Sequence, residues 1–563
     1  MALILKMYKT HLFYYNPVEK HHRFPVLQIS LSGKIKFQKM RKSIYFSVVL
    51  MVAFGLVNLA TYGQSQEGKM SYTVSMDQPA SHYYHVDFRY DGITAESVDL
   101  KMPAWTPGYY MILDLAKNVV EFNATDATGK TLDFEKTAKN TWHINTRGAN
   151  SLLVSYYVFA NRASVADPYL ADNRGFISPT GVFMFVDGKL NNPVTVTVKP
   201  FSGWKEISTG LDPVKGVANT FTAPDFDRLY DCPILVGNQE VLSFEFKGIT
   251  HKIAIEKPGT CDRTKLTADF KRIVEAGTAI IGEIPYKHYT FLIMEKGGGG
   301  LEHLNSMAVF ADVSNYQGGD KERGLLGFFA HEFFHLYNVK SIRPIVLGPF
   351  DYDRECITNM LWFSEGGTSY YQEIILNRAG FINRDAFLES AAKNIGRHEN
   401  IVGHEFQSVA VSSRDTWMLF FNRNENSQGV TINYYDKGAT LTLLLDLKIR
   451  YESQNVNSMD DVMRNLYQEY NKSKNRGFTD QEFRIACEKA AGCSLAEFFD
   501  YVYTTREIDY QKYLGYAGLN IDLTPQEPVI THLDKSINKR TFKISVMENP
   551  GPLQKKVLGD WLK

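Results

Sequence analysis

The sequence predicts a multidomain chain: an N-terminal β-sandwich-like domain, an α+β domain built around a pair of packed helices, and a short C-terminal segment of strand-like runs. Three observations carry this. Residues 69–246 read as short β-rich runs separated by Gly, Asn, Asp and Pro. After His251 the composition changes, and segments with helical spacing alternate with apolar strand runs. Leu325 to Tyr337 is apolar and free of Pro, with two histidines four residues apart. A chain of 563 residues is long enough for several cores. Lys plus Arg equals Asp plus Glu at 62 each, so nothing in the charge balance asks for nucleic acid or an acidic surface as partner.

At the N-terminus, residues 1–39 show no clear periodicity. Met40-Arg-Lys is followed by SIYFSVVLMVAFGLVNLA and then by Thr61-Tyr-Gly63-Gln64. A basic start, an apolar stretch and small residues at the cut are the parts of a secretory signal peptide, assigned to residues 40–63. The expectation is export, periplasmic or secreted, with translation starting at Met40 and residues 1–39 an upstream extension. The alternative is an uncleaved membrane anchor, since the apolar run is close to the roughly 18 residues that a span requires. Five cysteines without CxxC spacing form neither a disulfide framework nor a thiolate metal site. Cys487 and Cys493 are near enough in sequence to pair, and buried free thiols remain the alternative.

Within residues 69–246 the strand candidates are YYHVDFRY, SLLVSYYVFA, GVFMFVDG and VTVTVKP, with a hairpin turn at Asp126-Ala-Thr-Gly129. MPAWTPGYYMI, GWKEISTGL and FDRLYDCPILVG are rich in aromatics and Pro and read as loop and core residues.

Residues 251–515 form the second domain. Thr264 to Gly282 has helical spacing, and Tyr289 to Met294 is a buried-strand run. Gly297 to Gly300 then precede Leu301-Glu302-His303; a glycine run directly after a strand allows another backbone to approach closely, and Glu302 places a carboxylate there. In HEFFH, His331 and His335 project from one helix face, as two ligands of one metal ion must, with Glu332 between them. Glu365 in WFSEGGTSYY is the leading third ligand, because it follows an apolar run and opens a second helix-like segment. Two imidazoles and a carboxylate leave zinc an open position, the catalytic coordination. Further on, Tyr434 and Tyr435 stand near a helix entrance. Thr479-x-x-Glu482 and Ser494-x-x-Glu497 are capping boxes, with Gly492 as a stop signal. Asn338, Lys340 and Arg343 read as surface or inter-helix pairing partners.

HEFFHLYNVKSIRP, LWFSEGGTSYY, GGLEH and YYDKGATLTLLLDLKIR together resemble the glycyl aminopeptidase family of gluzincin metallopeptidases, whose members often end in a PDZ domain. The match covers roughly residues 70–515, and MPAWTPGYY, GWKEISTGL and YDCPILVG resemble that family's N-terminal β domain. The resemblance implies a thermolysin-like catalytic domain holding one zinc ion through His331, His335 and Glu365, with Glu332 as general base. Gly299-Gly300-Leu301-Glu302 is similar to the segment that binds the substrate's free amine in aminopeptidases of the aminopeptidase N type. The Y-x-K-G segment of those enzymes selects Tyr435 as transition-state donor, with Tyr434 the alternative. The implied activity is hydrolysis of the first peptide bond of peptides with a small first residue, Gly or Ala. A zinc endopeptidase and a non-catalytic peptide-binding scaffold are the competing readings. Residues 516–563 resemble part of a PDZ domain, and the expectation there is a truncated module without a complete peptide groove.

Overall fold

The computed structural model describes residues 68–530 and 536–563, so the signal-peptide stretch 40–63 and residues 1–39 lie outside the described residues. The N-terminal part is β-rich, as expected. Its main sheet has seven strands, with Lys69–Ser75, Tyr83–Asp91 and Ser151–Phe159 standing side by side in it. Period-two patterning explains their pairing: Tyr84, Val86 and Phe88 alternate inward on one strand and Leu152, Val154, Tyr156 and Val158 on its partner. Each such side chain removed from water contributes about 1.5–3 kcal/mol. Two four-stranded sheets complete the region. GVFMFVDG, expected as a strand, keeps strand pairing only at Phe185–Val186. All its apolar side chains are buried, so hydrophobicity there reports burial in a loop rather than a ladder.

The second region is built on a five-stranded sheet of β1 (Glu240–Phe246), β2 (Ile249–Ile255), β3 (His288–Met294), β4 (Gly300–Glu302) and β5 (Ser306–Phe310), standing in the order β1-β2-β3-β5-β4. β1 pairs antiparallel with β2, so residues 240–246, expected in the β domain, belong to this sheet. β2, β3 and β5 run parallel, and the short β4 is an antiparallel edge. Parallel neighbours need a crossover, supplied between β2 and β3 by α1 (Arg263–Ile281). Asp262 caps α1 by accepting from Lys265 N at 2.9 Å, and Gly282 ends it at φ 89°.

The functional helices pack beside this sheet. They are α2 (Arg323–Phe334), α3 (Gly366–Arg378), α4 (Arg384–Glu399) and α5 (Tyr434–Glu452). α2 buries Phe329 on Phe270 of α1 at 4.7 Å between ring centroids, and Phe333 on Tyr289 of β3 at 5.3 Å. A side chain at Gly277 of α1 would lie 3.0 Å from Phe333, so the glycine permits this close helix contact. Thr479 and Glu482 form the expected capping box, and Gly492 ends that helix in the left-handed region. The second box does not form: the helix after it begins at Ala496, and Leu495 N instead donates to Glu488. All five cysteines are free.

Residues 516–563, expected as a truncated PDZ-like segment, form a hairpin of β6 (Leu519–Ile530) and β7 (Ser536–Val546) followed by α6 (Pro552–Trp561). Their apolar side rests on the catalytic helices. Asn400 exchanges two hydrogen bonds of 2.9 Å with the Arg540 backbone, and the buried Trp561 indole donates to the Tyr370 hydroxyl at 2.8 Å. No described helix is long and apolar enough to cross a membrane.

Candidate active site

The HEFFH segment folds as anticipated. α2 carries His331 and ends at His335, and their Nε2 atoms stand 3.0 Å apart with the rings at 87°. Glu365 caps α3, and its Oε2 lies 3.7 Å from His331 Nε2 and 3.2 Å from His335 Nε2. Two glycines make this approach possible. A methyl on Gly366 would lie 2.5 Å from Gly438 Cα, and one on Gly438 would lie 2.1 Å from the Trp362 carbonyl. Side chains at that crossing would force α3 and α5 apart and carry Glu365 away from the imidazoles.

The three donor atoms suit a divalent cation. The edges of their triangle leave its centre about 2 Å from each atom, the distance zinc takes to imidazole nitrogen and carboxylate oxygen. The His335 tautomer is also prepared. Its Nδ1–H donates to the Asn338 carbonyl at 2.7 Å, so Nε2 keeps its lone pair for a metal. Asn338 in turn donates to the Phe363 carbonyl at 2.8 Å and to Thr368 at 3.1 Å, tying the end of α2 to the start of α3. Burial alone would lower His335, but Glu365 beside it raises it to about 10, and the same pairing outweighs burial and holds the Glu365 carboxyl well below the usual range. Burial and the neighbouring His335 keep His331 low.

Glu332 leaves α2 in another direction, toward β4. A methyl on Gly300 would lie 2.3 Å from its Oε1, so Gly300 is required for the carboxylate to lie against the strand. Burial, opposed by His335 and reinforced by Glu302 and Glu365, raises Glu332 to about 8. Gly299 sits at φ +95° and its carbonyl accepts from Phe310 N, which fixes the turn into β4.

Glu302 ends β4 and is 4% exposed, yet its Oε1 has no hydrogen-bond partner among the described residues. Gly108 of the β domain, at φ +90°, packs on it: a methyl there would lie 2.8 and 3.1 Å from the two carboxylate oxygens. Tyr110 from the same loop lines a cavity of about 20 Å³ together with Glu302, Lys340 and Phe350. Burial raises the Tyr110 hydroxyl well above its ordinary range, with Glu365 and Glu302 adding to the effect. Neither Gly108 nor Tyr110 is a candidate from sequence. The only local signal is the aromatic Thr-Pro-Gly-Tyr-Tyr turn, which reads equally well as core.

Tyr435, in the first turn of α5, has its ring 6.1 Å from that of His331. Tyr434 is 1% exposed, and its hydroxyl is engaged with Thr416 at 3.0 Å. Lys340 is mostly buried and pairs at 2.9 Å with Asp231 of the YDCP segment, which also meets His303 Nδ1 at 3.1 Å and accepts from Leu304 N at 2.8 Å. Burial would raise Asp231, but Lys340 and His303 hold it well below the usual carboxylate range. This cluster pins the turn after β4 and so positions Glu302. The expected candidates His331, Glu332, His335, Glu365, Glu302 and Tyr435 thus converge on one cleft between β4, α2, α3 and α5.

Comparison with known proteins agrees with this geometry. The family model described as the peptidase M61 N-terminal domain matches residues 71–238, and that described as M61 glycyl aminopeptidase matches residues 324–441. Among solved structures, an aminopeptidase N family protein from Idiomarina loihiensis is 29% identical, covering 83% of this chain and 81% of that one with a TM-score of 0.76. An M1 zinc metallopeptidase from Deinococcus radiodurans is 12% identical, covering 79% of this chain and 96% of that one with a TM-score of 0.48. No curated protein matches the chain significantly. With both models of one family matched in order, about half of the chain between them, the protein belongs to the M61 glycyl aminopeptidase family and is a metallo-aminopeptidase.

Proposed function

We propose that the protein is a zinc aminopeptidase that removes a small first residue, Gly or Ala, from peptides with a free amino terminus. The observation that carries this reading is the bare, buried Glu302 Oε1 on the edge strand beside the His331–His335–Glu365 cluster. A buried carboxylate oxygen without a donor is costly, and a substrate ammonium group compensates it while fixing the first peptide bond at a set distance from the cluster.

His331, His335 and Glu365 would hold the zinc, which when bound polarises the scissile carbonyl and makes a water acidic near neutral pH. Glu332 accepts the proton of the attacking water and passes it to the leaving amine; a carboxylate raised by burial suits both transfers. Tyr435 supports the developing oxyanion by donating from its hydroxyl, a contribution of about 3–4 kcal/mol in comparable sites. Tyr434 is the poorer candidate because Thr416 already engages its hydroxyl. The cavity next to Glu302 holds about one water, the size of a methyl group, which favours Gly or Ala at the first position. Residues 40–63 support export, and N-terminal sequencing of the secreted protein tests it.

The central test compares glycyl peptides with their N-acetylated forms, together with metal analysis. The expected result is one zinc per chain and turnover of free-amine peptides alone. Equal turnover of blocked peptides would convert the reading to an endopeptidase. Glu332→Gln should keep the zinc and lower kcat by about 10²–10⁴-fold.

A further inference from the structure

A cleft that anchors the amine at Glu302 needs a direction for the rest of the peptide. Glu332 points from α2 toward β4 and Glu302, whereas His331 turns toward Tyr435 on α5. A chain held at Glu302 and cut beside the imidazoles therefore continues past Tyr435. Beyond that ring, between α3, α4 and α5, lies a cavity of about 140 Å³, and Tyr435 forms part of its wall.

The cavity floor continues the face that carries the metal ligands. Ser369 and Gln372, both in its wall, lie four and seven residues after Glu365, on the same side of α3. On α2, Gly327 is one turn before His331, and a methyl there would lie 2.8 Å from Gln372 Nε2. The two helices thus pack closely one turn from His331, beside the cavity wall that Gln372 forms.

Its charged groups are already matched. Glu373 pairs with Arg323 at 3.1 Å, and Asp436 with Arg397 at 2.8 Å. Phe387, Ala391 and Leu443 supply apolar wall between them. A charged side chain entering this space would lose hydration and find no free counter-ion, whereas an uncharged one loses only water contact.

We propose that this cavity binds the residue on the carboxyl side of the scissile bond and selects a large uncharged side chain there, such as Leu or Phe. The proposal rests on the aminopeptidase reading and adds to it a second point of selection. The cleft is then asymmetric: a water-sized recess of about 20 Å³ for the first side chain and about 140 Å³ for the second.

The test compares kcat/KM on Gly-Leu, Gly-Asp, Gly-Trp and glycinamide, whose leaving group carries no second residue. The wild type should favour Gly-Leu over Gly-Asp. Ala391→Phe, which fills the cavity, should lower the Gly-Leu to glycinamide ratio by about tenfold or more, and Leu443→Ala, which enlarges it, should raise Gly-Trp relative to Gly-Leu. A readout independent of turnover is calorimetric binding of uncleaved Gly-Leu to the Glu332→Gln protein, which Ala391→Phe should weaken. Ratios unmoved in both variants overturn the proposal, as does a wild type active on glycinamide but indifferent to the second residue. A wild type inactive on all free-amine substrates overturns the aminopeptidase reading and the cavity assignment with it.

Discussion

Asp231 and Glu302 are carboxylates largely withdrawn from water, one beside and one at the end of the same edge strand, and the protein surrounds them in opposite ways. Asp231 meets a Lys340 ammonium, a His303 ring nitrogen and a backbone N–H, all within 3.1 Å. Glu302 has the Gly108 backbone against it and shares a small cavity with Tyr110 and Lys340, yet its Oε1 accepts no hydrogen bond among the described residues. The desolvation of Asp231 is compensated within the chain, so its charge holds structure. That of Glu302 is left to be compensated by a ligand, so its charge is available for recognition.

The largest expected difference between them is in stability. Asp231→Asn removes the carboxylate paired directly with Lys340, leaving Glu302 as its remaining negative neighbour, and should cost about 3–5 kcal/mol, read as a lowered urea midpoint. Glu302→Gln keeps the shape and removes a bare charge, so its midpoint should stay or rise. Its effect falls on kcat/KM for free-amine peptides, a loss of about 2–5 kcal/mol for truncating one side of a buried charge pair. If Asp231→Asn were as stable as the wild type, or Glu302→Gln as active, the two carboxylates would not differ in role.

The contrast also shows what sequence reveals and what it conceals. HEFFH and WFSEGG were legible because helix periodicity converts spacing directly into a shared face, and each ligand comes from one local segment. Glu302 was visible as a carboxylate after a glycine run. What made it bare was not visible, since that depends on Gly108, nearly two hundred residues earlier, on a loop indistinguishable from core. The Asp231–Lys340 pair is likewise a contact between domains, and no periodicity encodes it. GVFMFVDG and the Ser494 box depart from expectation for a related reason: local pattern signals strand and cap where distant packing decides the backbone. The glycines at 366 and 438 stand inside motifs of the sequence, while their physical role is the close crossing of two helices.

Acid titration sharpens the comparison with a smaller effect. The folded protein holds Asp231 well below its unfolded value, about 3.9, so its ionised form favours the folded state. That contribution is complete above about pH 4 and is lost as pH falls through the folded value. The stability gap between the wild type and Asp231→Asn should therefore be constant from about pH 7 to pH 5 and shrink below pH 4. A gap that persisted unchanged at pH 3, measured by urea unfolding, would mean that the Lys340 pairing does not depend on the carboxylate charge.

The smallest effect isolates how Glu302 is held. Gly108 at φ +90° is a position where Ala is strained by about 1 kcal/mol, and its methyl would meet the Glu302 oxygens at 2.8 and 3.1 Å. Gly108→Ala should thus lower stability slightly and shift the carboxylate, raising KM for free-amine peptides more than it lowers kcat. Because this loss acts through Glu302, combining Gly108→Ala with Glu302→Gln should add almost no further loss of activity, while the stability effect of Gly108→Ala remains. Fully additive activity losses in that cycle would place Gly108 in contact with some other part of the substrate, and the β-domain loop would then be a binding surface in its own right rather than a brace for the edge-strand carboxylate.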